Sequence, residues 1–222
     1  MADVMMRKAM TRLGGIAAAL LSSSTLLTAA PAAAVGTCSD IDVVFARGTN
    51  DAPLMGRVGD AFVDELRPLV GGRTISTYPV NYPASYDFLD AAQGANDAAA
   101  HIAAMAAQCP STRIVLGGYS QGAAVVDMLA GVPPLGNKIG SIGSAPPLSA
   151  SLNPSIAAVV AFGNPATKFG NPLTSSVWGN RAIDLCTDGD PICSHGRNPF
   201  AHSDYVSDGF AQQAASYVGG FV

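Results

Sequence analysis

The sequence has 222 residues, of which 49% are hydrophobic and only 13% are charged, so a single domain can bury a large core. The net charge is −4, the isoelectric point is about 5.1, and nothing in the sequence resembles a basic stripe. This composition argues against nucleic acid as a partner.

The first 34 residues are typical of an export signal. Three basic residues stand near the start, an apolar alanine-rich run covers 13–30, and Ala-Ala-Ala at 32–34 offers a cleavage site. An uncleaved membrane anchor is the alternative, but the apolar run is short and weak for a span. We therefore expect a signal peptide at 1–34 and one secreted, extracellular domain at 35–222. That domain would carry 9 basic and 15 acidic residues, a net charge of about −6.

Strand and helix patterns alternate along the rest of the chain. In chain order we predict a strand at 41–46, a helix at 57–70, a strand at 73–80, a helix at 88–108, a strand at 114–117, a helix at 121–130, strands at 157–163 and 181–186, and a helix at 203–221. In the second helix, Leu89, Ile102 and Met105 should face the core. Apolar strands that alternate with helices predict a parallel sheet covered on both faces, a three-layer α/β/α sandwich.

The strand at 114–117 leads into Gly-Tyr-Ser-Gln-Gly, with Ser120 at its centre. A nucleophilic serine on a parallel sheet needs a sharp turn, and the close contact there requires small residues two positions before and after it. Gly118 and Gly122 occupy those positions. A glycine-rich turn with an incidental serine is the alternative, but the strand before it and the helix after it favour a nucleophile elbow.

A catalytic serine needs a histidine base and a carboxylate that orients it, and in α/β hydrolases they follow in the order serine, acid, histidine. Asp190 is favoured as the acid because a disulfide between Cys186 and Cys193 would hold its loop still. Asp188 is the runner-up. Asp184 lies inside the last predicted strand, and we expect it to be structural.

Two histidines follow Ser120 in the sequence. His202 stands immediately before the final predicted helix and is favoured as the base. His195 lies in a loop rich in glycine and asparagine and is expected to be solvated. His101 precedes the serine, and Asp97 four residues before it indicates an ordinary surface pair on a helix.

An acyl-transfer intermediate also needs donors for its oxyanion. The backbone amide of Gln121, at the start of the helix after the serine, is one candidate. Gly48 and Thr49 follow the first strand and can present an amide and a hydroxyl. A plain glycine turn is about equally compatible with that segment.

All four cysteines lie after the predicted signal, and an even number in an exported chain indicates two disulfides. Three pairings are possible. The short separation favours Cys186 with Cys193, which leaves Cys38 with Cys109. Loop-closure entropy gives roughly 4 kcal/mol for the long bridge and roughly 2–3 kcal/mol for the short one. No metal site is expected, because no C-x-x-C or histidine pair at ligand spacing is present.

Five segments together resemble the cutinase family. They occur in order and with similar spacing from Cys38 to the C-terminus, and they read FARGT, NYPA, GGYSQGAAV, DLCTDGDPIC and AHSDYV. The resemblance is greatest to the secreted bacterial esterases of the family. It implies an α/β-hydrolase fold with a five-stranded parallel sheet, a minimal lid and no cofactor.

The resemblance also implies roles for individual residues. It places the nucleophile at Ser120, the acid at Asp190 and the base at His202. It assigns the oxyanion hole to the amide of Gln121 and to Thr49, where many members have serine. The disulfides that it implies are Cys38–Cys109 and Cys186–Cys193.

We therefore expect a secreted serine esterase for short to medium acyl esters, lipid or cutin-like polyester. A phospholipase A or a polysaccharide deacetylase with the same triad is the alternative enzyme, and a non-catalytic surface protein is the alternative outside enzymes. The expected partner is an ester or lipid substrate, with at most peripheral contact with lipid or the cell envelope, and the chain is expected to be a monomer. Candidates for an acyl groove, with packing favoured for each, are Tyr82, Tyr86, Phe88, Pro199 and Phe200.

Overall fold

The computed structural model describes residues 38–135 and 142–222, so the predicted signal peptide at 1–34 lies outside the described residues. One sheet contains β1 (Ile41–Ala46), β2 (Ile75–Pro79), β3 (Arg113–Tyr119), β4 (Ile156–Phe162) and β5 (Ala182–Leu185). The α-helices of the described residues are α1 (Gly56–Leu66), α2 (Ala91–Gln108), α3 (Gln121–Ala130), α4 (Pro165–Lys168) and α5 (Phe210–Gly219).

The five strands are parallel and lie in the order β2-β1-β3-β4-β5. Every residue of β1 and β4 is buried, because helices cover both faces of the sheet. Successive side chains of a strand point to opposite faces. Val44 belongs to a cluster with α2 and α3, whereas Val43 and Phe45 belong to a cluster with α1 and α5. The predicted three-layer sandwich is confirmed.

The first and the last helix differ from the prediction at their ends. The first helix ends at Leu66, and the chain continues as a 3-10 turn over Arg67–Leu69 that contains Pro68. Proline lacks the amide hydrogen that another α-helical turn would need. The last helix begins at Phe210 instead of 203. Gly209 adopts a φ of 78°, which is outside the helical region, so an α-helix cannot continue through it.

The prediction for Leu89 was wrong. Residues Phe88–Asp90 form a 3-10 turn before α2, and the side chain of Leu89 is 52% exposed. Ile102 is fully buried, and Met105 packs against the core as predicted. A 3-10 turn winds more tightly than an α-helix, so the apolar spacing did not carry over to its residues.

His101 does not form the predicted pair with Asp97. Its Nε2 lies 2.7 Å from Oδ2 of Asp42, a buried residue of β1, and its ring stacks on Tyr78. Asp97 instead accepts hydrogen bonds from the Tyr78 hydroxyl and from the Asn81 amide. Helical spacing missed this arrangement because the partner of His101 comes from the sheet.

The order of the strands determines where a crevice opens. The chain leaves β1 towards β2 on one side, whereas β3 lies on the other side of β1. Loops that diverge in this way leave a crevice at the carboxyl ends of the strands. Thr49 follows β1 and Ser120 follows β3, so the two residues lie at the same crevice.

Two disulfides lie at opposite ends of the strands. Cys38–Cys109 joins the segment before β1 to the end of α2, at the amino ends of the strands. Cys186–Cys193 closes the loop after β5, at the carboxyl ends of the strands.

No helix in the described part of the chain combines the length and apolar character needed to cross a bilayer.

Candidate active site

Ser120 links β3 to α3 in an unusual backbone conformation, with φ 57° and ψ −115°. Its amide donates to the Phe162 carbonyl over 2.8 Å, and its carbonyl accepts from the Ala123 amide over 2.9 Å. Residues other than glycine occupy this region only where their surroundings determine it. The turn therefore fixes the Ser120 hydroxyl at the crevice.

The two glycines of the turn make this close approach possible. A Cβ atom on Gly118 would lie 2.2 Å from the carbonyl oxygen of Gly122, and a Cβ atom on Gly122 would lie 1.9 Å from the carbonyl oxygen of Ala46. Real Cβ atoms do not approach backbone this closely. Strand, turn and helix can meet here only because both positions lack a side chain.

Ser120, His202 and Asp190 come together in hydrogen-bonding order. His202 Nε2 lies 2.8 Å from the Ser120 hydroxyl, and His202 Nδ1 lies 2.7 Å from Oδ2 of Asp190. The Asp190 side chain is fully buried, whereas that of His202 is 19% exposed. An imidazole in this position can take a proton from the hydroxyl while the carboxylate stabilises the resulting cation.

His202 lies in a 3-10 turn over Ala201–Ser203, not directly before the final helix. The Tyr119 hydroxyl donates to the His202 carbonyl, and the Arg57 guanidinium donates to the Ser203 carbonyl over 2.6 Å. The Tyr119 ring also stacks on the imidazole, with 5.1 Å between the ring centroids. A residue of β3 and a residue of α1 thus hold the turn in place.

The Asp190 carboxylate accepts three hydrogen bonds. Its Oδ1 accepts from the Ile192 amide over 2.7 Å, and its Oδ2 accepts from both His202 and the Tyr205 hydroxyl, the latter over 2.6 Å. Burial alone would raise the pKa of Asp190, but these hydrogen bonds outweigh burial and hold the pKa below its usual value. The group is therefore an anion near neutral pH.

The alternative acids and base lie apart from this arrangement. Asp188 and His195 are both exposed. Asp184 accepts hydrogen bonds from the Asn164 side chain and from the Leu173 amide, which fits the structural role expected of it.

The two residues predicted for the oxyanion hole contact each other beside Ser120. The Thr49 hydroxyl donates to Oε1 of Gln121 over 3.2 Å, and both residues line the same cavity as Ser120. Gln121 is the first residue of α3, so its amide is at a helix N-terminus. Nε2 of Gln121 is buried and has no hydrogen-bond partner within residues 38–135 and 142–222.

A cavity of about 530 Å³ opens at this site. Its walls are mostly apolar, and the residues that complete its lining are Tyr86, Phe88, Tyr119, Leu135, Ile142, Pro165, Ile192 and His202. Of the groove candidates, Tyr86 and Phe88 therefore line the cavity and are exposed, contrary to the packing favoured for them. Tyr82 is buried beneath the Arg47 guanidinium. Pro199 and Phe200 are exposed and are not among the lining residues.

Several residues of the site had no role in the sequence analysis. Tyr205 lies within AHSDYV and Tyr119 within GGYSQGAAV, but a tyrosine in a motif is as typical of core packing as of a site. The apolar lining residues come from separate segments of the chain, so no single periodic pattern marks them. The signal that the sequence offered was the position of Tyr205, three residues after His202, the predicted base.

Comparison with known proteins gives one consistent result. A family model described as Cutinase matches residues 37–220 of this chain. Phospholipase Culp4 of Mycobacterium tuberculosis is 47% identical over 212 residues, which cover 93% of this chain and 90% of that protein. Probable carboxylesterase Culp3 of the same species is 47% identical over 216 residues, which cover 93% of this chain and 80% of that protein.

Solved structures show the same likeness. A Trichoderma reesei cutinase in complex with a phosphonate inhibitor is 36% identical with a TM-score of 0.66, over 83% of this chain and 77% of that one. The catalytic core domain of acetyl xylan esterase from Trichoderma reesei is 25% identical with a TM-score of 0.69, over 83% of this chain and 100% of that one.

Proposed function

This chain belongs to the cutinase family and is a serine ester hydrolase, and from that premise we propose a secreted esterase whose triad is Ser120, His202 and Asp190. The observation that carries the proposal is the continuous relay from Asp190 Oδ2 through both nitrogens of His202 to the Ser120 hydroxyl, at 2.7 and 2.8 Å. Each contact lies within the reach required for proton transfer.

In the proposed mechanism the Ser120 oxygen attacks the ester carbonyl, and His202 Nε2 takes the hydroxyl proton. The Asp190 carboxylate holds Nδ1–H and stabilises the imidazolium. Collapse of the tetrahedral intermediate breaks the bond to the alcohol, which leaves with the proton from His202. Water then attacks the acyl-enzyme by the same route and releases the acid.

The Gln121 amide and the Thr49 hydroxyl are proposed to stabilise the oxyanion. As the Gln121 side chain stands, the Thr49 hydrogen is engaged by Oε1. A half-turn of the amide would exchange its oxygen and nitrogen, so that the buried Nε2 donates to Thr49 instead. That arrangement would leave the Thr49 hydrogen for the substrate oxygen.

The cavity supports substrates with a short or medium acyl chain. Tyr86, Phe88 and Ile192 give it apolar walls next to Ser120, where an acyl chain would lie. Hydrolysis rates on p-nitrophenyl esters of graded chain length test this proposal. We expect kcat/KM to be greatest between butyrate and octanoate, and a maximum at acetate would contradict the apolar fit.

A phospholipase A activity is the second candidate. It is favoured by the likeness to Phospholipase Culp4 and by the exposed rings of Tyr86 and Phe88 at the cavity. Release of fatty acid from phosphatidylcholine vesicles, measured beside the simple esters, separates the two candidates. Acetylated xylan belongs in the same panel because acetyl xylan esterase shares the fold, although the apolar walls do not favour a sugar.

The triad itself is tested by Ser120→Ala. This variant lacks the nucleophile, so it should lose turnover of p-nitrophenyl butyrate and covalent labelling by a fluorophosphonate probe. Hydrolysis by Ser120→Ala at the wild-type rate would exclude Ser120 as the nucleophile. A folded wild-type protein that does not react with the probe would instead favour a non-catalytic role for the fold.

A further inference from the structure

Tyr205 places a hydroxyl at the acid of the proposed triad. Its side chain is fully buried, and its oxygen lies 2.6 Å from Oδ2 of Asp190. His202 Nδ1 binds the same oxygen from 2.7 Å. One carboxylate oxygen therefore accepts hydrogen bonds from both the base and the tyrosine.

The surroundings of the Tyr205 hydroxyl fix its direction. The Thr187 amide donates to the Tyr205 oxygen over 3.4 Å, so the hydroxyl hydrogen is left for Asp190. The sulfur of Cys193 lies 3.3 Å from the same oxygen, and this sulfur belongs to the disulfide that closes the Asp190 loop. The hydroxyl is thus enclosed by the loop that it contacts.

The ring of Tyr205 is also held in place. It packs edge-on against the rings of Tyr119, Phe162 and His202, with centroid distances of 5.6, 6.1 and 6.2 Å. A Cβ atom on Gly163 would lie 3.0 Å from the Tyr205 oxygen and 2.9 Å from the His202 ring. The glycine therefore leaves the space in which the base and the tyrosine both reach Asp190.

We propose that Tyr205 is a positioning residue of the esterase, which holds the Asp190 carboxylate in place and shares the charge on Oδ2 with His202. The proposal rests on the proposed function, because it concerns the same triad. Without the tyrosine, the Asp190 carboxylate would keep, among the described residues, only the Ile192 amide and the imidazole as partners. A buried carboxylate that loses one of its hydrogen bonds is held less firmly and carries more charge on the oxygen facing His202.

Charged and titratable groups from several segments surround Tyr205 and its neighbour Tyr119. Burial, and then the hydrogen bond to Asp190, raise the pKa of Tyr205 well above its usual value. Burial raises the pKa of Tyr119 to about 12. Both side chains therefore keep their hydroxyl hydrogens at the pH of an assay. Among the described residues, the charged and titratable groups that face Tyr205 and Tyr119 come from four segments. They are Asp190 in the loop closed by Cys186–Cys193, His202 and Asp204 in and beside the 3-10 turn, Asp51 in the loop after β1, and Arg57 on α1.

The test compares Tyr205→Phe with Tyr78→Phe. Both substitutions remove a hydroxyl that donates to an aspartate and keep the ring, but Tyr78 lies on β2 and binds Asp97, away from the site. For each variant we would measure kcat, KM and the pH profile of kcat/KM on p-nitrophenyl butyrate. Product is followed at the wavelength where p-nitrophenol and its anion absorb equally, so the signal does not change with pH. Melting temperatures show that the variants are folded.

We expect Tyr205→Phe to lower kcat by about 10-fold with little change in KM, as loss of a group that orients a metal-bound histidine does in other enzymes. The acid limb of its pH profile should move to higher pH by roughly half a unit, because more negative charge would face the imidazolium. Tyr78→Phe should change neither quantity. A Tyr205→Phe protein that matches Tyr78→Phe in kcat and in its acid limb would overturn the proposal.

A second variant keeps the test independent of folding. Replacing Tyr205 with a tyrosine that carries fluorine ortho to the hydroxyl keeps the donor and makes it stronger. The acid limb should then move to lower pH, opposite to the effect of Tyr205→Phe, and a limb that stays at its wild-type position would overturn the proposal. Ser120→Ala in the same series tests the triad separately, since its loss of activity does not depend on Tyr205.

Discussion

Two hydroxyls of the site, those of Ser120 and Thr49, depend on their neighbours for their proposed roles. Ser120 is held at φ 57° by a turn that only small flanking residues allow, and its hydroxyl faces His202 as a result. Thr49 is β-branched and has restricted rotamers, and Gln121 holds its hydroxyl beside the crevice. At this scale, chemistry depends on the orientation of single atoms.

The role of Thr49 is tested by removing its hydroxyl while keeping its shape. Thr49→Val should lower kcat roughly 10²- to 10³-fold, because one donor to the developing oxyanion is lost. Thr49→Ser restores the hydroxyl and should stay within about 10-fold of the wild type. Steady-state kinetics on p-nitrophenyl butyrate measure both, and equal rates for the valine and serine variants would assign Thr49 a packing role only.

Among the elements, we expect the two disulfides to contribute differently to stability and to catalysis. Cys38–Cys109 spans 71 residues and lies at the amino ends of the strands. Cys186–Cys193 spans 7 residues, and the loop that it closes contains Asp190. Loop-closure entropy grows with loop length, so the long bridge should contribute about 4 kcal/mol and the short one about 2–3 kcal/mol.

Replacing each pair with serine should separate these effects. Cys38→Ser/Cys109→Ser should cause the greater loss in the free energy of unfolding in urea. Cys186→Ser/Cys193→Ser should cause the greater loss in kcat, because the Asp190 loop is no longer closed. The expectation fails if the short-loop variant is as active as the long-loop variant under conditions where both are folded.

A buried acid links α3 to β5. The side chain of Asp127 on α3 is fully buried, and its Oδ1 accepts from Asn164 Nδ2, which also donates to Asp184 on β5. Burial raises the pKa of Asp127 well above its usual value, although the Asn164 hydrogen bond opposes the change. The folded state therefore binds this proton more tightly than the unfolded state does.

Asp127 should accordingly make stability depend on pH. Its contribution is fully present below the usual pKa of aspartate and is lost as the pH rises through the higher folded value. Asp127→Asn removes this titration, so the variant should gain stability relative to the wild type as the pH rises from about 4 to 8. Melting temperatures across that range give the answer, with exposed Asp188→Asn as the control. Parallel curves for the wild type and Asp127→Asn would show that Asp127 is not protonated on folding.

The elements also show what the sequence could predict. β1 and β4 were found because a strand buried on both faces is apolar at every position, and the turn at Ser120 because its glycines lie at fixed spacing. The pairing of His101 with Asp42, and the contact of Tyr205 with Asp190, could not be predicted in this way. Each joins residues from separate segments of the chain, and only the folded arrangement brings them together.

On the scale of the whole chain, secretion remains a prediction. The export pattern at 1–34 and two disulfides in the domain support it, because disulfides persist in oxidising compartments. When the full chain is produced in an exporting host, the released protein should begin at Val35, and intact-mass spectrometry would show this. A full-length mass in the membrane fraction would instead favour a membrane anchor. Analytical ultracentrifugation of the released protein tests the oligomeric state, and we expect a monomer.

Cys38 and Phe221, near the two ends of the described residues, lie at the amino ends of the strands, whereas Ser120 follows the carboxyl end of β3. Cys38 is fixed there by its disulfide, and the Phe221 carbonyl accepts a hydrogen bond from Arg113 at the start of β3 over 3.0 Å. A bead, an affinity tag or a fusion partner attached at either end would therefore leave the crevice facing outwards. The same geometry would let an immobilised form of this protein present its crevice to an ester held on a solid surface, with its attachment behind it.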